Sequence, residues 1–300
     1  MSDTFFKAAN ANLNFYDTLT ISLDDEELNS QYGKTVSIYA DNYEASFFKR
    51  GNKYSFINSL KGLTASNFKS NATFKNQVYT NTKVIDAEKS PTNKKDDKLC
   101  WAATASNMLT WTQWADQGLN LKNKTNKEDL VFREFINNFT NQGSHQSFGI
   151  DWFFDGSYEK SNDLSWSQPA KDSGNYLQRT SQPYITYFSE IDPLNFISHL
   201  ISGEAVGLSI RPTDGSGSWH AITCFGFEFN PKLAFTDKNF LCGIYITDSD
   251  DEKTSKNPTD TLVYLPVSWN NKNKCYIFTD VDYNQDYYLE DFTTLERYQT

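Results

Sequence analysis

Apolar residues along this chain change their period part-way. Between about residues 100 and 202 they recur at helical spacing in three segments. Beyond residue 204 they form short aromatic and β-branched runs. The run Cys100-Trp-Ala-Ala-Thr-Ala-Ser-Asn-Met-Leu-Thr-Trp puts Ala102, Ala105 and Leu109 on one helical face and Trp101, Ala105, Met108 and Thr112 on another. That pattern predicts a buried helix, apolar on more than one side. Asp96 and Asp97 stand where N-cap residues are wanted, and Gly118 where a helix would stop. Leu130, Phe132, Phe135, Ile136 and Phe139 predict a second helix after a polar loop, within 119–142. Residues 143–192 read as loop-rich and aromatic. Pro193, at a first-turn position before Phe196, Ile197 and Leu200, predicts a third helix over 193–202.

The last third reads as strands: Ala205-Val-Gly-Leu-Ser-Ile, Trp219-His-Ala-Ile-Thr-Cys-Phe-Gly-Phe, Gly243-Ile-Tyr-Ile-Thr-Asp, Leu262-Val-Tyr-Leu and Cys275-Tyr-Ile-Phe, with a weak final segment near Tyr287. Gln77–Thr80 and Lys83–Asp86 read as strand fragments in an otherwise short and mixed stretch from Tyr43 to Asp86. Helices first and strands later predict an α+β fold with a largely antiparallel sheet. Residues 1–45 carry the acidic run Asp24-Asp25-Glu26-Glu27 and read as a loosely ordered arm or a short extra strand unit, leaving 46–300 as the main domain.

Composition narrows the classes. A chain of 300 residues with 16% aromatic content can bury a sizeable core, unlike a disordered one. A net charge of -10 repels phosphate backbones and anionic lipid, so neither nucleic acid nor a membrane surface is an expected partner. No apolar run approaches the about 18 residues of a membrane-spanning helix. The polar start MSDTFFKAANANLNFYD lacks an apolar signal core. It leaves a cytoplasmic protein, or a secreted one whose leader is not in this chain, both open. The four cysteines, Cys100, Cys224, Cys242 and Cys275, are sparse and irregularly spaced for a disulfide scaffold. With no C-x-x-C pair and three histidines, a zinc site is not expected, and no cofactor signature is present. One cysteine with a particular job beside three ordinary buried ones is the simpler account.

Cys100 is that cysteine. At a helix mouth, unpaired N–H groups and the macrodipole favour thiolate over thiol, and the same groups can hold an oxyanion. The plainer alternative is a structural cysteine on an apolar helix. His220 begins an apolar strand after the loop Gly215-Ser-Gly-Ser, which leaves room for a substrate beside its ring. His145, in a polar loop, and His199, on a helix face, are weaker candidates. Asp248 closes a strand where a carboxylate can accept an imidazole N–H and fix its tautomer. The run Asp248-Ser-Asp-Asp also echoes a calcium loop, but Lys253 stands where such a loop wants glycine. The order cysteine, histidine, acid puts a helix-borne nucleophile ahead of the strands that carry base and orienter.

These residues resemble the papain superfamily, and more closely the immunoglobulin-G-degrading endopeptidase (Mac) family of streptococci. Lys95-Asp-Asp-Lys-Leu-Cys100 with Ala102-Ala-Thr-Ala and Asn107-Met-Leu is similar to that family's nucleophile segment. Gly203-Glu-Ala-Val-Gly-Leu-Ser209 resembles its strand before the histidine, Tyr245-Ile-Thr-Asp-Ser-Asp250 its acid segment, and Lys61-Gly-Leu-Thr with Asn67-Phe68 a stretch nearer its start. The matches are ordered over about residues 45–265; residues 119–192 and the first 45 match poorly. The resemblance implies a papain-like fold, with a nucleophile helix packed on a mostly antiparallel sheet. It makes Cys100 nucleophile, His220 base and Asp248 orienting acid, with Asp250 a second acid nearby. It implies a lysine upstream of the nucleophile that helps form the oxyanion hole: Lys89 is the best match, with Lys94 and Lys95 as alternatives. It further implies a secreted virulence protease acting on a protein substrate, host immunoglobulin first among them, with no cofactor or metal. The glutamine usual six residues before the cysteine in papain is replaced by Lys94.

Two other classes fit the same residues. A Cys–His–Asp transglutaminase, amidase or acyltransferase shares the triad and differs in the acceptor. A non-enzymatic binding module would use exposed aromatics, for which Trp152, Trp166 and Tyr158 are the candidates.

Overall fold

The computed structural model describes residues 19–21, 36–38, 45–60, 62–70, 77–81, 83–90, 94–158, 169–170, 173–233, 236–250, 260–280 and 285–299. The fold is α+β, with a large antiparallel sheet and few helices. The first strands, β1 (Leu19–Ile21) and β2 (Val36–Ile38), pair with each other alone among the described residues. Both lie within residues 1–45. All other described strands join one 12-stranded sheet. Its centre is β8 (Ala205–Pro212), β9 (His220–Phe229) and β10 (Leu241–Thr247), continued through β11 (Thr261–Pro266) to β6 (Gln77–Thr80) and β5 (Lys69–Ser70). On the other side of β8 lie β14 (Gln285–Leu295), β13 (Cys275–Asp280) and β12 (Ser268–Asn270), with β7 (Ile185–Phe188) beside the far end of β14.

Strand β9 changes partner along one edge. Its first half pairs with β8, from Ile210↔His220 to Val206↔Cys224. Its second half pairs with β4 (Lys53–Asn58) of a hairpin begun by β3 (Ala45–Arg50). Gly226 sits where the hairpin arrives, opposite Ile57. A Cβ there would lie 2.2 Å from the Phe56 carbonyl oxygen and 2.9 Å from Ile57 Cα, and backbone cannot swing aside.

Helix α1 (Cys100–Trp111) is buried on nearly every side, between the sheet and other helices. Gly207 on β8 makes the approach possible: a Cβ there would meet Met108 Sδ at 2.8 Å and Thr104 Cγ2 at 2.9 Å. At the far end Trp111 stacks on Phe225 of β9, ring centroids 4.7 Å apart. Away from the sheet, Trp101 meets Phe135 of α3 (Lys127–Asn138) edge-on and packs against Gly149 of α4 (Gln146–Asp155). Helix α5 (Pro193–Ile201) covers the other sheet face. Its Phe196 touches Phe292, which pairs with Leu208, and strand neighbours point to opposite faces. Its Asp192 caps Asn195 N at 3.2 Å, and Pro193 takes the first turn, as the sequence predicts. Among the described residues no helix is long and apolar enough to cross a membrane.

Several expectations are corrected. The first helix does not run to Gly118. It stops at Thr112, where Gln113 adopts φ 68°, and a short α2 (Trp114–Gly118) follows. Lys83–Asp86 is not a strand, because Val84 N bonds Asn81 O in a turn and the Asp86 carboxylate accepts from Thr261 N at 3.2 Å. The loop-rich reading of 143–192 misses α4 and β7. The weak final segment is an 11-residue strand whose last five residues are all buried. Trp152 is fully buried and Tyr158 half-buried, so neither is an exposed recognition residue; Trp166 lies outside the described residues. The four cysteines are free, with Cys224 buried but Cys242 and Cys275 half-buried.

The Gly226→Ala variant is expected to lose about 2 kcal/mol or more, because the clash is with backbone and is relieved only by breaking the β4–β9 pairing. Urea unfolding followed by circular dichroism measures it.

Candidate active site

The start of α1 is left open. Its N-cap is Leu99, and no side chain caps the first turn. Asp96 and Asp97 are not caps, contrary to expectation. The Asp96 carboxylate accepts from Ser90 N at 2.9 Å, and the Asp97 carbonyl accepts from Lys89 Nζ at 2.8 Å. Both residues tie the loop before Cys100 to the Lys89 segment. Ala102 N donates to Leu99 O, and the positive end of the helix dipole lies at Cys100, the first residue of the helix.

His220 opens β9 beside the sulfur. Its Nε2 lies 2.7 Å from Asp248 Oδ1, just past the end of β10. Asp248 accepts that N–H, which leaves Nδ1 as the nitrogen toward Cys100, and the sulfur and the ring act on each other electrostatically. Asp248 Oδ1 also accepts from the Asp250 backbone N–H at 3.0 Å. The three expected triad residues thus converge from one helix and two adjacent strands. Lys89 joins them: its buried ammonium pairs with Asp250 Oδ1 at 2.6 Å, and Asp250 Oδ2 lies 3.7 Å from His220 Nδ1. Lys94 and Lys95 are exposed, while Lys89 acts electrostatically on Cys100, so Lys89 is the lysine brought to this site. An ammonium has three N–H donors; Asp97 and Asp250 take two, leaving one for an incoming oxyanion.

The electrostatics follow from burial against pairing. Burial pushes the Cys100 thiol up, but the His220 charge and hydrogen bond, the Ala221 N–H and the Lys89 charge outweigh it and hold the thiol below its ordinary value. Burial pushes His220 down, yet the charges of Asp248 and Cys100 hold it well above an ordinary imidazole. Burial pushes Asp248 up, and His220 above all keeps it below the usual carboxylate range. The sum favours a thiolate–imidazolium pair. Cys224, sealed in the core, goes the other way, up to about 12.

His220, Asp248 and Asp250 hold ligand atoms within 4.8 Å of one another, a spacing compatible with a metal ion. The Lys89 ammonium already occupies Asp250 and His220 already satisfies Asp248, so a cation would have to displace positive charge from both carboxylates. Of the calcium-loop residues, Asp251 and Lys253 lie outside the described residues.

His145 and His199 are engaged elsewhere. His145 caps α4, with Nδ1 2.7 Å from Ser147 Oγ, and His199 Nδ1 lies 2.7 Å from Glu204. Sequence reasoning missed the Ala221 N–H, hidden in an ordinary strand pattern. It also missed that Trp219, directly before His220, is 55% exposed. Among the described residues the exposed large aromatics are Trp219 and Tyr187, neither of which the sequence singled out as a recognition residue.

Comparison with known protein families finds no matching family model, and comparison with curated proteins finds no match.

A thiolate already formed in this way alkylates below the pH at which ordinary thiols react, about 8.5. Iodoacetamide at about pH 6 is expected to modify Cys100 and spare Cys224, read by peptide mass mapping. Asp248→Asn removes the charge that raises His220, so the Cys100 alkylation profile should move to higher pH. An unmoved profile would remove Asp248 from the array.

Proposed function

We propose that this chain is a papain-like cysteine endopeptidase acting on a protein substrate. The observation that carries the reading is the grouping of Cys100, His220 and Asp248 at an uncapped helix N-terminus, with the imidazole bonded to Asp248 and acting electrostatically on the sulfur. The motif resemblance to immunoglobulin-G-degrading endopeptidases supports host immunoglobulin as the first substrate to test, and with it a secreted protein.

In this mechanism His220 Nδ1 takes the Cys100 proton, and the thiolate attacks a peptide carbonyl carbon. The Cys100 N–H and the Lys89 ammonium hold the oxyanion. As the C–N bond breaks, His220 gives its proton to the leaving amine, and a thioester remains. His220 then takes a proton from water, hydroxide adds to the thioester, and the acid departs as Cys100 regains its proton. Asp248 keeps the ring in the tautomer that presents Nδ1 throughout.

Incubating the protein with whole IgG, IgM and other serum proteins from several hosts, read by gel, is expected to give discrete fragments. Cys100→Ala should give none while keeping the circular dichroism spectrum. Lys89→Met should lower kcat by roughly a hundredfold or more with little change in KM, as for loss of one oxyanion donor. Transfer of an added amine to a substrate glutamine, without backbone cleavage, would establish the acyltransferase alternative instead. Full cleavage by Cys100→Ala would end the assignment.

A further inference from the structure

Asn107 lies in α1 seven residues after Cys100 and is 3% exposed. A buried primary amide must satisfy one acceptor and two donors. Its Oδ1 accepts from Ala87 N at 2.8 Å. Its Nδ2 donates to Thr223 Oγ1 at 3.0 Å and to Thr247 Oγ1 at 3.2 Å. A backbone N–H can only donate, so the Ala87 contact fixes which way the amide points. Thr247 in turn donates to Ile85 O at 3.4 Å.

Each partner adjoins a different group of the site. Ala87 is two residues before Lys89, Thr223 three after His220, and Thr247 directly before Asp248. Asn107 itself rides on the helix that begins with Cys100. One side chain thus joins the four segments that bear the sulfur, the imidazole, the orienting carboxylate and the lysine.

We propose that Asn107 is a positioning residue for the Cys100–His220–Asp248 array, its amide fixing α1 against β9, β10 and the Lys89 segment. The proposal rests on Cys100 being the nucleophile. Apolar packing holds α1 against the sheet but is non-directional, so it does not by itself set the rotation or slide of the helix. Hydrogen bonds from one side chain to three separate segments do. Reacting groups tolerate little error, since a misplacement of about 1 Å can cost about a hundredfold.

The test is the pH dependence of Cys100 alkylation in the whole chain, read by mass spectrometry. Asn107→Ala is expected to slow alkylation at about pH 6 by about tenfold and move the profile toward that of an ordinary thiol. Leu109→Ala, which removes buried bulk from the same helix, should lower Tm without moving the profile. Thr247→Val, close in size to threonine but without the hydroxyl, should shift the profile as Asn107→Ala does, and Thr247→Ser should restore it. A folded Asn107→Ala protein with the unsubstituted profile overturns the proposal. So does a Thr247→Ser shift as large as that of Thr247→Val, since bulk rather than the hydroxyl would then matter. If Asn107→Ala does not fold, the Thr247 pair decides. If the unsubstituted chain itself titrates as an ordinary thiol, the nucleophile assignment fails, and the proposed positioning role falls with it.

Discussion

The site depends on one electrostatic constraint: charges taken out of water must each have an opposite neighbour at hydrogen-bonding distance. With the thiolate–imidazolium pair formed, the signs would alternate from Cys100 to His220 to Asp248, with Lys89 and Asp250 as a second pair alongside. Fully ionised, the five groups sum to one negative charge. That excess faces the N-terminus of α1, the Ala221 N–H on the sulfur and the Asp250 N–H on Asp248. Backbone dipoles thus complete a balance that the side chains leave open. This explains why Asp96 and Asp97 must not cap the helix. A carboxylate on the first turn would occupy the N–H groups there and would raise the Cys100 thiol.

Linkage gives the array a working window. His220, raised in the fold, adds stability below the ordinary imidazole value of about 6.5 and loses it as pH rises through its raised value. Asp248, lowered, adds stability above about 3.9 and loses it as pH falls through its folded value. The ion pair is therefore best held between the lowered carboxylate and the raised imidazole.

Local pattern carried much of this and failed where structure is set at a distance. The helix at Cys100, the helix at Pro193 and the strands bearing His220 and Asp248 were legible because each buries a regular face. Helix α4 was not. Its cap is a histidine, Gly149 interrupts it, and its apolar residues lie all round, so no amphipathic stripe marks it. Strand β14 was hidden by the register shift between Leu289 and Asp291, which breaks the alternation of side chains partway along. The hairpin β3–β4 gave only short, mixed signals because it is an edge addition to β9. The order cysteine, histidine, acid was legible in the chain; which lysine lies beside those residues was not, because it depends on where Asp97 and Asp250 meet Lys89.

The least legible part is the most consequential. A buried amide at position 107 looks, in sequence, like a polar interruption of an apolar helix, and helices tolerate asparagine poorly. Its helix cost of under about 1 kcal/mol is offset only if tertiary partners complete its hydrogen bonds. Here they do, and the partners are two threonines on strands and one backbone N–H from a non-helical segment. Packing supplies most of the cohesion, through Trp101, Trp111 and the close approach at Gly207. It does so without preferring one rotation of the helix sharply over its neighbours. A polar group in the apolar interface penalises every other rotation with unsatisfied donors. On the proposed positioning role, local helix propensity is given up for register between the helix that bears Cys100 and the strand that bears His220.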